Sequence, residues 1–224
     1  MFGLTFLSAT SKTTTHRVVP FRIGKLFSAV AGYVAGGYDG SNISGIDKVS
    51  FPADTKTTLS ATLTTPRRLQ AGFANSGTAG YVAGGYESSY ISGIDKVSFP
   101  ADTKTTLSAT LTTARDGSAG FANSGTAGYV AGGNDGGNIS GIDKVSFPAD
   151  TKTTLSATLT TARQTSTGFA NSGTAGYVAG GADSGGRLSG IDKVSFPADT
   201  KTTLSATLTS GREVVMGFAD SGTL

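Results

Sequence analysis

The sequence predicts an all-β fold made of tandem four-stranded units, on three observations. Tyr-Val-Ala-Gly-Gly recurs at Tyr33, Tyr81, Tyr129 and Tyr177, a spacing of 48 residues. The block 44–64 recurs unchanged at 92–112, 140–160 and 189–209, so the repeated units must occupy equivalent environments. The composition, with 33 glycines, no Trp and many Thr, Ser and Val residues, favours short strands and tight turns. A helical reading fails because no window sustains an i, i+3, i+4, i+7 apolar stripe. The Gly-Gly pairs would also weaken a helix by about 1 kcal/mol per glycine. Four strands with hairpin-like turns in each period match the blade of a β-propeller better than the shorter coils of a parallel β-solenoid.

Within one unit, residues 71–76 and 80–85 read as strands a and b around a tight turn at Gly77-Thr78-Ala79. A short polar loop leads to strand c at 91–99, rich in β-branched and aromatic residues. Pro100-Ala101-Asp102-Thr103 is turn chemistry, the Asp being able to bond the backbone that follows it. Strand d is expected at 105–112, where Leu107, Ala109 and Leu111 alternate with Thr106, Ser108 and Thr110.

The first unit begins with strand b, so its inner strand has to come from elsewhere. Residues 217–221 repeat strand a, and they predict a propeller of four blades over 32–224, closed by the C-terminal strand. Residues 1–31 read as a degenerate repeat or arm, since Leu7-Ser8-Ala9-Thr10 echoes Leu59-Ser60-Ala61-Thr62. Five blades and a strand-exchanged homo-oligomer are open alternatives, because near-identical repeats specify their partners weakly.

Differences between units concentrate in two loops. The b–c loop carries Tyr38, Asp39 and Asn42, then Tyr86, Glu87 and Tyr90, then Asn134, Asp135 and Asn138, then Asp183 and Arg187. The d–a loop carries Arg68, Asp116, Gln164 and Glu213. Antiparallel alternation brings both loops to one face, which is the candidate ligand-binding surface. Its tyrosines are flat platforms and its polar residues readers for a sugar or a protein surface. Drift in exposed loops after duplication is the competing explanation.

The Gly-Gly doublet after Tyr-Val-Ala, with the Arg that opens the next unit at Arg67, Arg115, Arg163 and Arg212, resembles Kelch repeats. Leu59, Leu107, Leu155 and Leu204 stand where such repeats commonly carry Trp. Glycine-rich, Trp-poor repeats of this style are similar to those of bacteriophage tail-fibre and virion proteins. That resemblance implies a virion setting, with a host-surface glycan or protein, or other virion proteins, as partners. A lectin-like extracellular or cell-surface adhesin and a cytoplasmic interaction scaffold are the alternatives.

Enzymatic function is not expected. With no Cys and one His, His16, the chain lacks the residues for copper-oxidase, zinc or serine-hydrolase chemistry, and no cofactor or metal is expected. Asp39 and Asp135 open fragments that resemble calcium loops without the full spacing, so turns are the better reading. Gly84-Gly85 is not a phosphate loop, since no Gly-Lys-Ser/Thr follows, and it is expected to let neighbouring strands approach closely. Asp47, Asp95, Asp143 and Asp192 are expected in salt bridges or backbone hydrogen bonds. Arg67, Arg115, Arg163 and Arg212 are expected to bond carbonyls of adjacent units. The net charge of +3, spread evenly, does not point to nucleic acid. No apolar run reaches the roughly 18 residues of a membrane span. Residues 2–7 lack the preceding basic region of a secretory signal.

Overall fold

The computed structural model describes residues 31–219. It is an all-β chain of antiparallel sheets. The first sheet has three strands, β1 (Ala31–Tyr38), β2 (Asn42–Ser50) and β3 (Thr55–Thr58). Two four-stranded meanders follow, the first being β4 (Ala71–Asn75), β5 (Ala79–Ala83), β6 (Ile94–Ser98) and β7 (Thr103–Thr106). The second is β8 (Ala119–Asn123), β9 (Ala127–Ala131), β10 (Ile142–Ser146) and β11 (Thr151–Thr154). The last combines β12 (Thr167–Asn171) and β13 (Ala175–Ala179) with β16 (Ile191–Ser195) and β17 (Thr200–Thr203). A small hairpin, β14 (Ala182–Asp183) and β15 (Gly186–Arg187), stands in its b–c loop. The arm at 1–30, with His16, lies outside the described residues.

Strands a and b form where the alternating pattern places them. In β4, Ala71, Phe73 and Asn75 point into the core, and in β5 Ala79, Tyr81 and Ala83 do the same. Strand b ends at Ala83 because Gly84 and Gly85 take φ of +66° and +106°, a region that favours glycine. A Cβ on Gly84 would meet the Arg115 carbonyl at 2.6 Å, and Gly85 N donates to that same carbonyl at 2.9 Å. The close approach at this pair is to backbone outside the strands; the approach between strands of neighbouring sheets falls instead to Gly120 of β8 against Gly72 of β4.

Strand d, and strand c in every unit after the first, are shorter than their pattern implies. Strand c starts at Ile94 rather than at residue 91. Ile91 N donates to Gly85 O at 2.9 Å and Gly93 O accepts from Gly84 N at 3.0 Å, both outside the ladder. Strand d is β7, Thr103–Thr106, and not 105–112. The segment beyond it stays beside β6 through two spaced bonds, Leu107 N to Ile94 O at 2.9 Å and Leu111 N to Ser92 O at 2.8 Å. It then leaves the sheet because Thr112 N is taken by the Asp143 carboxylate of the next unit, at 3.0 Å. The alternation of Leu107 and Leu111 marks burial without marking a strand.

The core lies between consecutive sheets. Phe73 and Tyr81 of one unit stack at 5.1 Å, and Phe147 of the next closes on Tyr81 at 5.0 Å. Phe121, Tyr129 and Phe196 repeat the arrangement one unit later, with both tyrosine contacts at 5.1 Å. Ile94, Leu111, Val130 and Val145 complete one such cluster. The inner segments run side by side: Gly117 N donates to Leu69 O at 2.8 Å, Thr165 N to Gly117 O at 2.7 Å and Val214 N to Thr165 O at 3.0 Å.

The C-terminal segment does not behave as the sequence suggests. Its described residues, 217–219, form no strand, and Gly217 packs against Thr167 and Phe169 beside β12. β1 pairs with β2 alone, so the first sheet has no inner strand among the described residues. Residues 220 and 221 of that predicted strand lie outside the described residues.

Candidate functional site

The two varied loops meet backbone to backbone on one face. Arg68 bridges Tyr86, Asp116 bridges Asn134 and Gln164 bridges Ala182, each pairing a d–a loop with the b–c loop that follows it. Because the Gly-Gly turn directs strand b into this loop in every unit, the loops repeat in register while their side chains differ.

A strip of side chains crosses three units there. The Arg68 guanidinium lies 5.0 Å from the Tyr38 ring and 5.3 Å from the Tyr86 ring, between tyrosines of neighbouring units. It also reaches Asn42 Oδ1 at 3.4 Å, and Asn42 Nδ2 donates to Glu87 O at 3.2 Å. Tyr86 meets Tyr90 edge to face at 5.4 Å, and the Tyr90 hydroxyl donates to Asn134 Oδ1 at 2.7 Å. Tyr38 is the most open of the strip, at 59% exposure. Arg187 and Glu213 pair at 3.2 Å at the far end of the same face, apart from the tyrosines.

The acidic residues of this face are mostly occupied by their own loops. Asp39 accepts from Ser41 N at 3.2 Å, Asp135 from Gly137 N at 3.3 Å and Asp183 from Gly185 N at 2.8 Å. These are Asx turns, which is how the Asp39 and Asp135 fragments are best read. Glu87 accepts from Ser88 N at 2.6 Å, and that contact together with the Ser88 hydroxyl holds its carboxyl below the usual range. Asp116 is the exception: burial pushes its carboxyl up, with the Arg68 charge opposing. Asn138 Oδ1 is buried without a partner among the described residues.

Three of the repeated Arg–Asp pairs lie inside, in the junctions between sheets. Arg115 Nη2 donates to Asp143 Oδ2 at 2.9 Å and to Val130 O at 3.2 Å, and the two charged side chains are 2% and 1% exposed. Arg163 pairs with Asp192 at 3.1 Å and also bonds the Gly180 and Gly190 carbonyls. Arg67 pairs with Asp95 in the same way. These three arginines therefore bond both carbonyls and carboxylates, each within the unit that it opens. The pairing of arginine with aspartate is marked in the sequence by a constant offset, Arg67 to Asp95 and Arg115 to Asp143.

A second contact crosses the same junctions. The Tyr33 hydroxyl donates to Asp102 Oδ1 at 2.6 Å, and Lys48 Nζ to Oδ2 of the same carboxylate at 2.7 Å. Tyr81 and Lys96 treat Asp150 alike, as Tyr129 and Lys144 treat Asp199. The turn Asp thus bonds the neighbouring unit and not the backbone that follows it. Burial and the carboxylate partner push the Tyr81 and Tyr129 hydroxyls up.

These junctions set a pH dependence. Burial alone would raise the Asp95 carboxyl, but bonds from Thr64 and Thr106 and the Arg67 charge hold it below the usual range, and Lys48 and Tyr33 likewise outweigh burial at Asp102. A carboxyl lowered in the folded state contributes stability above its unfolded value, about 3.9, and loses it as pH falls through the folded value. Thermal melts followed by circular dichroism are expected to be flat from about pH 5 to 8 and to fall steeply below about pH 4.

Neither protein-family models nor curated proteins match this chain, so its function is argued from this face.

Proposed function

We propose that this chain is a non-enzymatic binding or structural module, a Kelch-like propeller whose varied face recognises a host-surface glycan or protein. The observation that carries the reading is the strip Tyr38, Arg68, Tyr86 and Tyr90. It is made only of positions that vary among the four otherwise equal units, and it presents flat rings and a cation on one face. Aromatic faces flanked by amide and guanidinium donors suit a sugar ring, which offers an apolar face and a rim of hydroxyls. The setting proposed, a phage virion or tail appendage, follows from the resemblance of the repeats.

The ring belongs to the same proposal. Sheets that follow one another with their inner strands adjacent are the arrangement of propeller blades. Residues 217–221 copy the inner strand that the first sheet lacks among the described residues, and the ring closes once a segment of that kind stands against β1.

Glycan-array binding tests the function. The triple variant Tyr38→Ala, Tyr86→Ala and Tyr90→Ala is expected to lose at least about tenfold in affinity for any glycan the native chain captures. Its stability should change by about 1 kcal/mol or less per site, since these are surface positions. Binding unchanged in the triple variant would sink the recognition reading.

A further inference from the structure

The junction between sheets is built three times with the same parts, and the chain ends display the two halves of a fourth. At the last sheet, Arg212 has the place of Arg67, Arg115 and Arg163, yet among the described residues its side chain bonds only Ser210 O, at 3.4 Å. Tyr177 and Lys193 have the places of Tyr129 and Lys144 and, among the described residues, make no side-chain hydrogen bond. Phe169 and Tyr177 stack at 5.3 Å without the third ring that Phe147 and Phe196 supply in the two preceding junctions.

At the first sheet the complementary halves are open. Asp47 has the place of Asp95, Asp143 and Asp192, but its side chain is 44% exposed and, among the described residues, meets only Lys56 and Thr58 of its own unit. Asp54, in the turn place of Asp102, is exposed and unpaired among the described residues, and Phe51 is 46% exposed. Among the described residues β1 has a free edge, and its Tyr33 stacks on Phe99 without the inner-strand phenylalanine that lies under Tyr81 and Tyr129. Gly217-Phe218-Ala219 repeats Gly72-Phe73-Ala74, the part that is missing, and Phe218 is 93% exposed.

The two ends belong together, and the spacing of the sheets decides whether they meet within one chain. Inner segments hydrogen-bonded to each other sit about 5 Å apart, so four in a square would face across the axis at about 7 Å and fill it with their own backbones. Instead, the segments that begin at Leu69, Gly117, Thr165 and Val214 line an open cavity of about 410 Å³. The first and last sheets share no hydrogen bond among the described residues.

We infer that the occupant of each end is a second copy of this chain, docked head to tail. Arg212 then pairs with the partner copy's Asp47, Tyr177 and Lys193 with its Asp54, and Phe218 lies under its Tyr33. Such a heterologous contact repeats until it closes into a larger ring or continues as a fibre. The inference concerns the chain ends and not the ligand of the varied face, so the two fail separately.

The test is cross-complementation by sedimentation velocity on the full chain, with D47R and R212D. Both positions are open in the isolated chain, so both variants should fold. The native chain is expected to assemble as concentration rises. Each variant alone sets like charges together and should weaken assembly at least about a hundredfold, and an equimolar mixture should restore it. A native chain that stays monomeric to about 100 μM, including one closed on itself through residues 217–221, overturns the inference, that ceiling being about 5.5 kcal/mol of association. So does assembly that either variant leaves intact. Glycan binding by a strictly monomeric chain would leave the proposed function standing while removing this one.

Discussion

Asp143→Ala is expected to destabilise the chain by about 3–5 kcal/mol, the range for removing one partner of a buried ion pair. Asp143 accepts four contacts at once: Arg115 Nη2 at 2.9 Å, Thr112 N at 3.0 Å, Thr112 Oγ1 at 2.7 Å and Thr154 Oγ1 at 2.9 Å. Alanine would leave the Arg115 guanidinium inside with no counter-charge and would strand the Thr112 amide. It was this carboxylate that drew that amide out of the sheet ladder, so the end of strand d would loosen with it. The equivalent substitution at the first sheet, Asp47→Ala, removes an exposed carboxylate whose ion pair with Lys56 spans 3.3 Å, and should cost far less than Asp143→Ala in the dissociated chain. Urea unfolding at low protein concentration reads both. Repeat arrays gain stability from each unit and from each junction. Severing the middle junction should therefore broaden the transition as well as lower its midpoint. Equal losses at the two positions would show that the buried pairs do not hold the units together.

The outline of each unit was legible because it is written locally. Strands a and b fall within one or two residues of the sequence reading, since burial alternates along Ala71, Phe73 and Asn75 and a tight turn separates them. The shared face of the two loops was legible from antiparallel alternation alone. What lay between units was not. Arg115 and Asp143 recur in every unit, so a sequence of equal repeats does not say whether the Arg bonds its own unit or the next. Strand d failed for the same reason, because Leu107 and Leu111 alternate as in a strand while a carboxylate of the next unit claims the backbone. Residues 217–221 copy strand a, yet a copy of a strand does not specify which sheet receives it.

Gly120→Ala carries the second large effect, and it separates the junctions inside the chain from the one between chains. A Cβ on Gly120 would fall on the Gly72 carbonyl. Neither backbone can yield, because Gly120 is paired to Val130 in its own sheet and Gly72 to Val82 in the other. Overpacking against fixed backbone costs about 1–3 kcal/mol, here at the upper end because no side chain is available to rotate away. Gly72 has the same place in the preceding unit, but among the described residues no strand stands against it, and a Cβ there meets nothing closer than Tyr81 O at 4.0 Å. Gly72→Ala should therefore leave the dissociated chain as stable as before, or about 0.5 kcal/mol more stable through the smaller freedom of its unfolded state. In an assembled pair the C-terminal segment of the partner copy brings its own backbone against Gly72, as Gly72 stands against Gly120. The variant should then unfold like the native chain at low concentration yet fail to assemble at high concentration. A Gly72→Ala chain that assembles normally would mean that the inner edge of the first sheet faces open space.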